Sequence, residues 1–156
     1  VIWSDRPLFL WQADSHDIDV QQLELTDAEG RILWEKSLDT TTASVIYDGQ
    51  PLQPGQFYTW RLEWTVQDRD NSMDYTFQIM EAEQRNQIAS DLQTLTNQSQ
   101  NSNTHSESIA DRQARYFIDN SPWSDALQVL YMNPNLSVET TQEIRNWIDA
   151  ACDGSR

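Results

Sequence analysis

Residues 52–64 read LQPGQFYTWRLEW, and the alternation inside this run decides the fold. Tyr58, Trp60, Leu62 and Trp64 share one side of an extended chain, while Thr59, Arg61 and Glu63 share the other. This is the period of two expected of a half-buried β-strand. Pro54 and Gly55 supply a turn just upstream. A tyrosine that opens a strand after such a turn predicts a tyrosine corner, in which the hydroxyl bonds back to the corner backbone.

Working outward, Arg6 and Pro7 lead into Leu8–Trp11, where Pro7 suits a strand entry and Phe9 and Trp11 share an inward face. A polar loop over 13–19 precedes a strand over 20–25, in which Leu23 and Leu25 alternate with Glu24. The run TDAEG at 26–30 reads as a turn, with Gly30 suited to positive φ. Further strands are expected over 32–35 and 44–47, with a loop over 39–42 between them. Residues 67–74 read as a polar, hairpin-like loop, and Tyr75, Phe77 and Ile79 alternate as the last strand. Six or seven strands at spacings of about ten residues predict an all-β sandwich of the fibronectin type III/Ig-like kind over residues 1–80. The 52–64 run is then its strand F.

The period changes after Met80. Ile88, Leu92 and Leu95 stand at i, i+4 and i+7, predicting a connecting helix over 81–96 with one narrow apolar stripe. Residues 97–106 carry no apolar side chain and read as a polar linker. Helical hairpins are expected over 107–153, giving an α-helical tail of three to four helices. Ile109, Ala110, Ala114 and Phe117 share one face. Ser121 and Pro122 open the next helix, which carries Trp123, Ala126, Leu127 and Leu130 and stops at Asn133 and Pro134. Ser137 caps a last helix whose stripe is Ile144, Trp147, Ile148 and Ala151, with Gly154 beyond its end.

Charge narrows the partners. The 156 residues hold 25 acidic against 10 basic side chains, a formal charge of −15, and Lys36 is the single lysine. Such a surface repels phosphate backbones and anionic lipid, so nucleic acid is not expected as a partner, and a protein with a basic surface or a cation is. No apolar run approaches the roughly 18 residues of a membrane span. Cys152 has no second cysteine to pair with, and reads as a small buried residue beside Asp153. Val1 stands where an initiator Met would, which reads as a processed chain or a domain of something larger.

The motifs RPxFxW at 6–11, LW at 33–34 and LxPGxxYxW at 52–60, followed by a Glu- and Gln-rich helix, resemble a family of cyanobacterial extracytoplasmic proteins of poorly characterised function. The later run AxYFxxNxxWSDALxxL at 114–130 is similar to their helical tail, itself like a tetratricopeptide hairpin. The resemblance implies a fibronectin-like module, a helical tail and an extracytoplasmic location in periplasm, lumen or cell surface. It brings no chemistry. The span 126–134 is too short for a full tetratricopeptide repeat, so no peptide groove is inferred from it.

No catalytic signature is present, so no enzyme, catalytic residue or cofactor is expected. His16 and His105 both sit in polar stretches and read as loop residues. Trp11, Trp60 and Trp64 fall on inward faces and Trp123 and Trp147 on helix stripes, which favours core over a sugar platform. The expected function is a non-catalytic protein–protein interaction or assembly module, part of a larger extracytoplasmic or lumenal system; the alternative is a carbohydrate- or cation-binding module. In a sandwich of this kind the loops after strands B, C′ and F share one end, gathering Asp14, Asp17, Asp19, Asp39, Asp68 and Asp70 with His16 as the partner-binding set. Asp14, Asp17, Asp68 and Asp70 are the candidate Ca²⁺ ligands within it, although Met73 and Ile79 stand where an EF-hand has its Gly and Glu. Solvated loops whose charge only maintains solubility are the plainer reading.

Overall fold

The computed structural model describes residues 1–11, 18–39, 43–100, 108–120 and 123–152. The expectations for Asp14, His16, Asp17, His105, the Ser121 cap, Pro122, Gly154 and the side chains of Ala151 and Cys152 fall outside what is described. The chain divides into two compact units, Val1–Ala82 and Glu83–Arg156. The first is β-rich and the second helical.

The first unit holds two antiparallel sheets. β1 (Leu8–Leu10) pairs with β4 (Ser44–Ile46), while β3 (Ile32–Ser37), β2 (Ile18–Asp27), β5 (Phe57–Val66) and β6 (Arg69–Gln78) form a four-stranded sheet in that order. The inner strands β2 and β5 carry the apolar alternation. Leu25 lies opposite Trp60, Leu23 opposite Leu62 and Val20 opposite Trp64. A bulge between Val20 and Gln22 keeps Val20 on the same face as Leu23. Phe9, Leu23, Leu25, Tyr47, Leu52, Tyr58, Leu62 and Ile79 are buried together, and Trp11, Trp34, Trp60 and Trp64 pack against them half-buried. The inward placement of Trp11, Trp60 and Trp64 agrees with the sequence pattern.

Two boundaries differ from expectation. β2 begins at Ile18, so Asp19 is a strand residue paired with Thr65 instead of a loop residue. β6 begins at Arg69, so Asp70 and Asp74 also lie in a strand, and the expected loop over 67–74 shrinks to Gln67 and Asp68. Both turn residues have positive φ, 48° and 59°, the backbone hand of a tight two-residue hairpin. The first half of β6 is exposed on both faces, so it lacks the apolar alternation by which a strand is recognised.

The corner before β5 is closed from several directions. The Gln53 N–H donates to the Tyr58 hydroxyl at 2.9 Å. Gly55 adopts φ of 76°, its N–H donates to the Ile79 carbonyl at 2.9 Å, and the Glu81 carboxylate occupies the space a Cβ would need. Gly30, at φ 78°, closes the other turn, and its N–H donates to the Asp27 carbonyl at 3.0 Å.

In the second unit, α1 (Ala82–Gln100) buries Ile88 and Leu92 at the predicted spacing. It runs four residues past the expected boundary at 96, into the stretch read as linker. α2 (Ile109–Asn120) buries Ala114 and Phe117, while Ile109 is exposed and Asp111 turns inward in the first turn. α3 (Trp123–Met132) buries Ala126, and α4 (Val138–Cys152) buries Ile144. Trp123 stacks on Trp147 with ring centroids 4.5 Å apart, linking α3 to α4. Tyr116 donates to Asp91 Oδ2 at 2.7 Å, linking α2 to α1, and burial together with this carboxylate pushes its hydroxyl up to about 12.

Asp111, only 4% exposed, ties two helix starts together. Ser108 caps α2 by accepting from the Asp111 N–H at 3.0 Å and donates to Asp111 Oδ2 at 2.6 Å. Asp111 Oδ1 accepts the Ser137 N–H at 2.8 Å, and Ser137 Oγ, the predicted cap of α4, accepts the Thr140 N–H at 3.2 Å. Burial pushes the Asp111 carboxyl up, but the donors from Ser108, Ser137 and Thr140 outweigh it and hold the group at about 2 against an ordinary 3.8.

Tyr58→Phe removes one acceptor without changing ring volume, and is expected to cost about 1 to 2 kcal/mol in denaturant unfolding. A folded pKa below the unfolded one gives stability that is present above the unfolded value and lost as pH falls through the folded one. Helical unfolding in the parent should therefore become easier between about pH 4 and pH 2. Asp111→Asn should flatten that dependence and cost about 1 to 2 kcal/mol at neutral pH, measured by thermal melts across pH.

Candidate functional site

Strand register decides where the acidic side chains go. Asp19 and Asp70 both face Thr65, one from each neighbouring strand, so the three form a row across the sheet. Thr65 Oγ1 accepts from Gln21 Nε2 at 2.7 Å and donates to Asp70 Oδ1 at 3.4 Å. Asp68 stands in the turn joining β5 to β6. Asp39 follows β3 at this same end, because the Leu38 N–H donates to the Gln21 carbonyl at 2.8 Å. Asp19, Asp39, Asp68 and Asp70 thus belong to one end of the four-stranded sheet, while Asp14 and Asp17 lie outside the described residues. Among the described residues, no group of three or more His, Cys, Asp or Glu side chains is placed to hold a metal ion.

The pairing also assembles acidity that loop reasoning missed. Side chains directly opposite each other in a sheet share a face. Glu24 faces Glu35 on one side and Arg61 on the other, Arg61 faces Asp74, and Glu63 faces Ser72. Asp19, Glu24, Glu35, Glu63, Asp70 and Asp74 therefore share the solvent face with Arg61. Glu24 opposite Glu35 is a like-charge pair, an arrangement that weakens a sheet by itself. Arg61 grips Asp74 with two bonds, Nε to Oδ1 at 2.7 Å and Nη2 to Oδ2 at 2.9 Å. These bonds and the charge behind them hold the Asp74 carboxyl below its ordinary range. The signal lay in the polar positions of each strand, but only the strand order turns them into one surface.

The opposite face is incompletely covered along β6. Phe77 packs edge-on against Phe9 with centroids 6.1 Å apart, so β1 reaches that end of the strand. Further back, Met73 and Tyr75 are 47% and 46% exposed. Tyr75 stacks on Trp60 at 4.8 Å and 21°, and its hydroxyl contacts the Met73 sulfur. Because Tyr75 covers a face of the Trp60 ring, the pair forms a stack instead of two side-by-side faces. The result is an apolar ledge on one side of β6 and carboxylates on the other. A hollow of about 340 Å³ lined by Gln21, Glu63, Trp64, Asp70, Asn71 and Ser72 runs beside its first half.

At the other end of the unit, a groove of about 610 Å³ lies between the Asp27–Arg31 turn and the Pro51–Gln56 corner, with Leu33 and Phe57 in its lining. Arg31 closes its rim by donating from Nε to Asp27 Oδ2 at 2.7 Å. The single lysine is engaged elsewhere, with Lys36 Nζ bonding Asp48 Oδ2 at 3.0 Å. No described helix is long and apolar enough to cross a membrane. No protein-family model matches the chain, and no curated protein matches it.

Arg61→Leu should release the Asp74 carboxyl, whose pKa is then expected to climb back toward the ordinary 3.8. An NMR titration of the Asp74 side-chain carbon reads this directly, and an unmoved midpoint would show that the guanidinium is not its cause.

Proposed function

We propose that the β-rich unit is a fibronectin type III/Ig-like sandwich that serves as a non-catalytic protein–protein interaction or assembly module, engaging a partner with a basic surface. In fold terms, β1 to β6 correspond to strands B, C, C′, E, F and G. The order β3-β2-β5-β6 beside a β1-β4 pair and the hydroxyl contact of Tyr58 to the corner support this correspondence. Kinship with the cyanobacterial extracytoplasmic family, and a working place outside the cytoplasm or in a lumen, belong to the same proposal and are carried by the quoted motifs.

The observation that carries the function is the gathering of Asp19, Glu24, Glu35, Glu63, Asp70 and Asp74 on one sheet face, with Asp39 and Asp68 at its end. A fold that keeps Glu24 opposite Glu35 accepts local repulsion that a basic partner relieves on docking. Acidic surfaces of this kind chiefly raise the association rate and choose among partners. The same charge disfavours nucleic acid.

The test is partner capture by the intact chain at low and high salt, compared with an Asp19→Asn, Asp68→Asn, Asp70→Asn variant. Capture should fall on the order of tenfold in the variant and weaken with salt in the parent, with melting temperature little changed. Equal, salt-insensitive capture by both proteins would remove the acidic end as the interaction site.

A further inference from the structure

We infer that β6 is a strand-addition edge, whose occupant is an extended segment of a partner protein in which apolar side chains alternate with arginine or lysine. The inference deepens the proposed function by naming the surface and the chemistry of the occupant, and it rests on that reading.

Backbone direction comes first. Residues of an edge strand alternately turn their N–H and C=O groups toward the sheet and away from it. Ile79 turns inward, its N–H donating to the Gln56 carbonyl at 3.0 Å and its carbonyl accepting the Gly55 N–H at 2.9 Å. The next residue on either side turns outward, where the Gln78 carbonyl accepts the Ile2 N–H at 2.9 Å and the Met80 N–H donates to the Ile2 carbonyl at 2.8 Å. This parallel rung between Ile2 and Ile79 shows that the outer side of β6 accepts an extended chain. Stepping back by twos, the outward peptide groups are those of Thr76, Asp74, Ser72 and Asp70. β6 is the last strand of its sheet, and among the described residues no backbone group pairs with them.

A row of four open donor–acceptor positions is what strand addition uses for affinity, with alternate side chains supplying specificity. Here the two faces differ. A strand laid on this edge would set one side chain in two beside Met73 and Tyr75, and the next beside Asp70, with Glu63 behind it, and beside Asp74, which already pairs with Arg61. Apolar residues fit the first row and cationic ones the second. A second copy of the chain fits poorly, since it brings its own charge of −15 and opposes carboxylates to carboxylates. Charged side chains on an edge normally discourage pairing, but negative ones discourage only strands of like charge.

The probe is a soluble ten-residue peptide of alternating valine and arginine, added to the intact chain while amide hydrogen exchange is followed residue by residue. Exchange at Asp70, Ser72, Asp74 and Thr76 should slow on the order of tenfold or more, with Asn71, Met73, Tyr75 and Phe77 unchanged because they already bond β5. The same peptide N-methylated at alternate residues, and one carrying glutamate for arginine, should leave all four amides unprotected. Ser72→Pro, which removes an outward N–H and no bond to β5, should leave the three remaining amides of Asp70, Asp74 and Thr76 unprotected by the valine–arginine peptide; if it melts well below the parent, the N-methylated peptide alone decides. Protection confined to Asp19, Thr65 and the 67–68 turn would overturn strand addition and leave the acidic end standing as the docking site. Protection of the same amides that appears without peptide and grows with protein concentration would make the occupant a second copy and overturn the inference. Absence of any protection overturns it as well, whereas the proposed function itself falls only to equal, salt-insensitive capture by the Asn variant.

Discussion

Everything in the β-rich unit hangs on the pairing of β2 with β5. These two ten-residue strands meet from Ile18 opposite Val66 to Asp27 opposite Tyr58, and each contributes the apolar side of its alternation to one face. Leu23 and Leu25 have no exposed surface, and their partners Leu62 and Trp60 sit directly across from them. Burying a leucine of this kind is worth about 2 kcal/mol relative to leaving it in water, so a slip of register by one residue would forfeit several such terms at once. The tyrosine corner guards against the slip. It fixes where β5 begins by holding Tyr58 to Gln53 across the turn, and Gly55 anchors the same turn to the residue after β6.

That pairing explains why the fold is legible in the sequence and the surface is not. Strands in the middle of a sheet bury one face, so their letters alternate, and the 52–64 run could be read directly as a strand after a corner. β6 has neighbours on one side only, and its first half offers RDNSM to solvent on both faces, so it reads as a loop. Asp19 reads as a loop residue for a related reason, since a polar residue at the start of a strand looks like the end of the loop before it. The helical stripes of Ile88 and Leu92, and of Ala114 and Phe117, were visible because each helix buries one side. Ile109, in the first turn of α2, stays exposed although the apolar pattern favours burial, and the buried residue of that turn is the Asp111 carboxylate.

The acidic surface was half visible. Loop positions predict Asp19, Asp39, Asp68 and Asp70 together at one end, and the pairing keeps them there although Asp19 and Asp70 are strand residues. Which strand lies beside which cannot be read from alternation, because alternation is a property of one strand and adjacency a property of two. Only the order β3-β2-β5-β6 sets Glu24 against Glu35 and Arg61 against Asp74. The same order puts Tyr75 beside Trp60, which turns two aromatics into a stack.

An exposed edge running from Asp70 to Thr76 is an aggregation hazard in water, and the means by which this chain controls it bears on what the edge is for. Proteins that need only to avoid aggregation shorten the edge, break it with proline, bulge it or place lysine along it. β6 does none of these things; it is long, pairs with β5 without a register shift, and carries Met73 and Tyr75 in the open. Its protection is an excess of negative charge, from Asp70 and Asp74 on the strand and Glu63 and Glu24 behind it, which Arg69 and the Arg61 guanidinium on Asp74 only partly offset. Protection of that sort is selective by construction, because it repels copies of itself through the net charge of −15 while leaving the hydrogen-bonding row intact for a chain of opposite charge. In the proposed docking, negative charge and open backbone would act together, one choosing the partner and the other holding it.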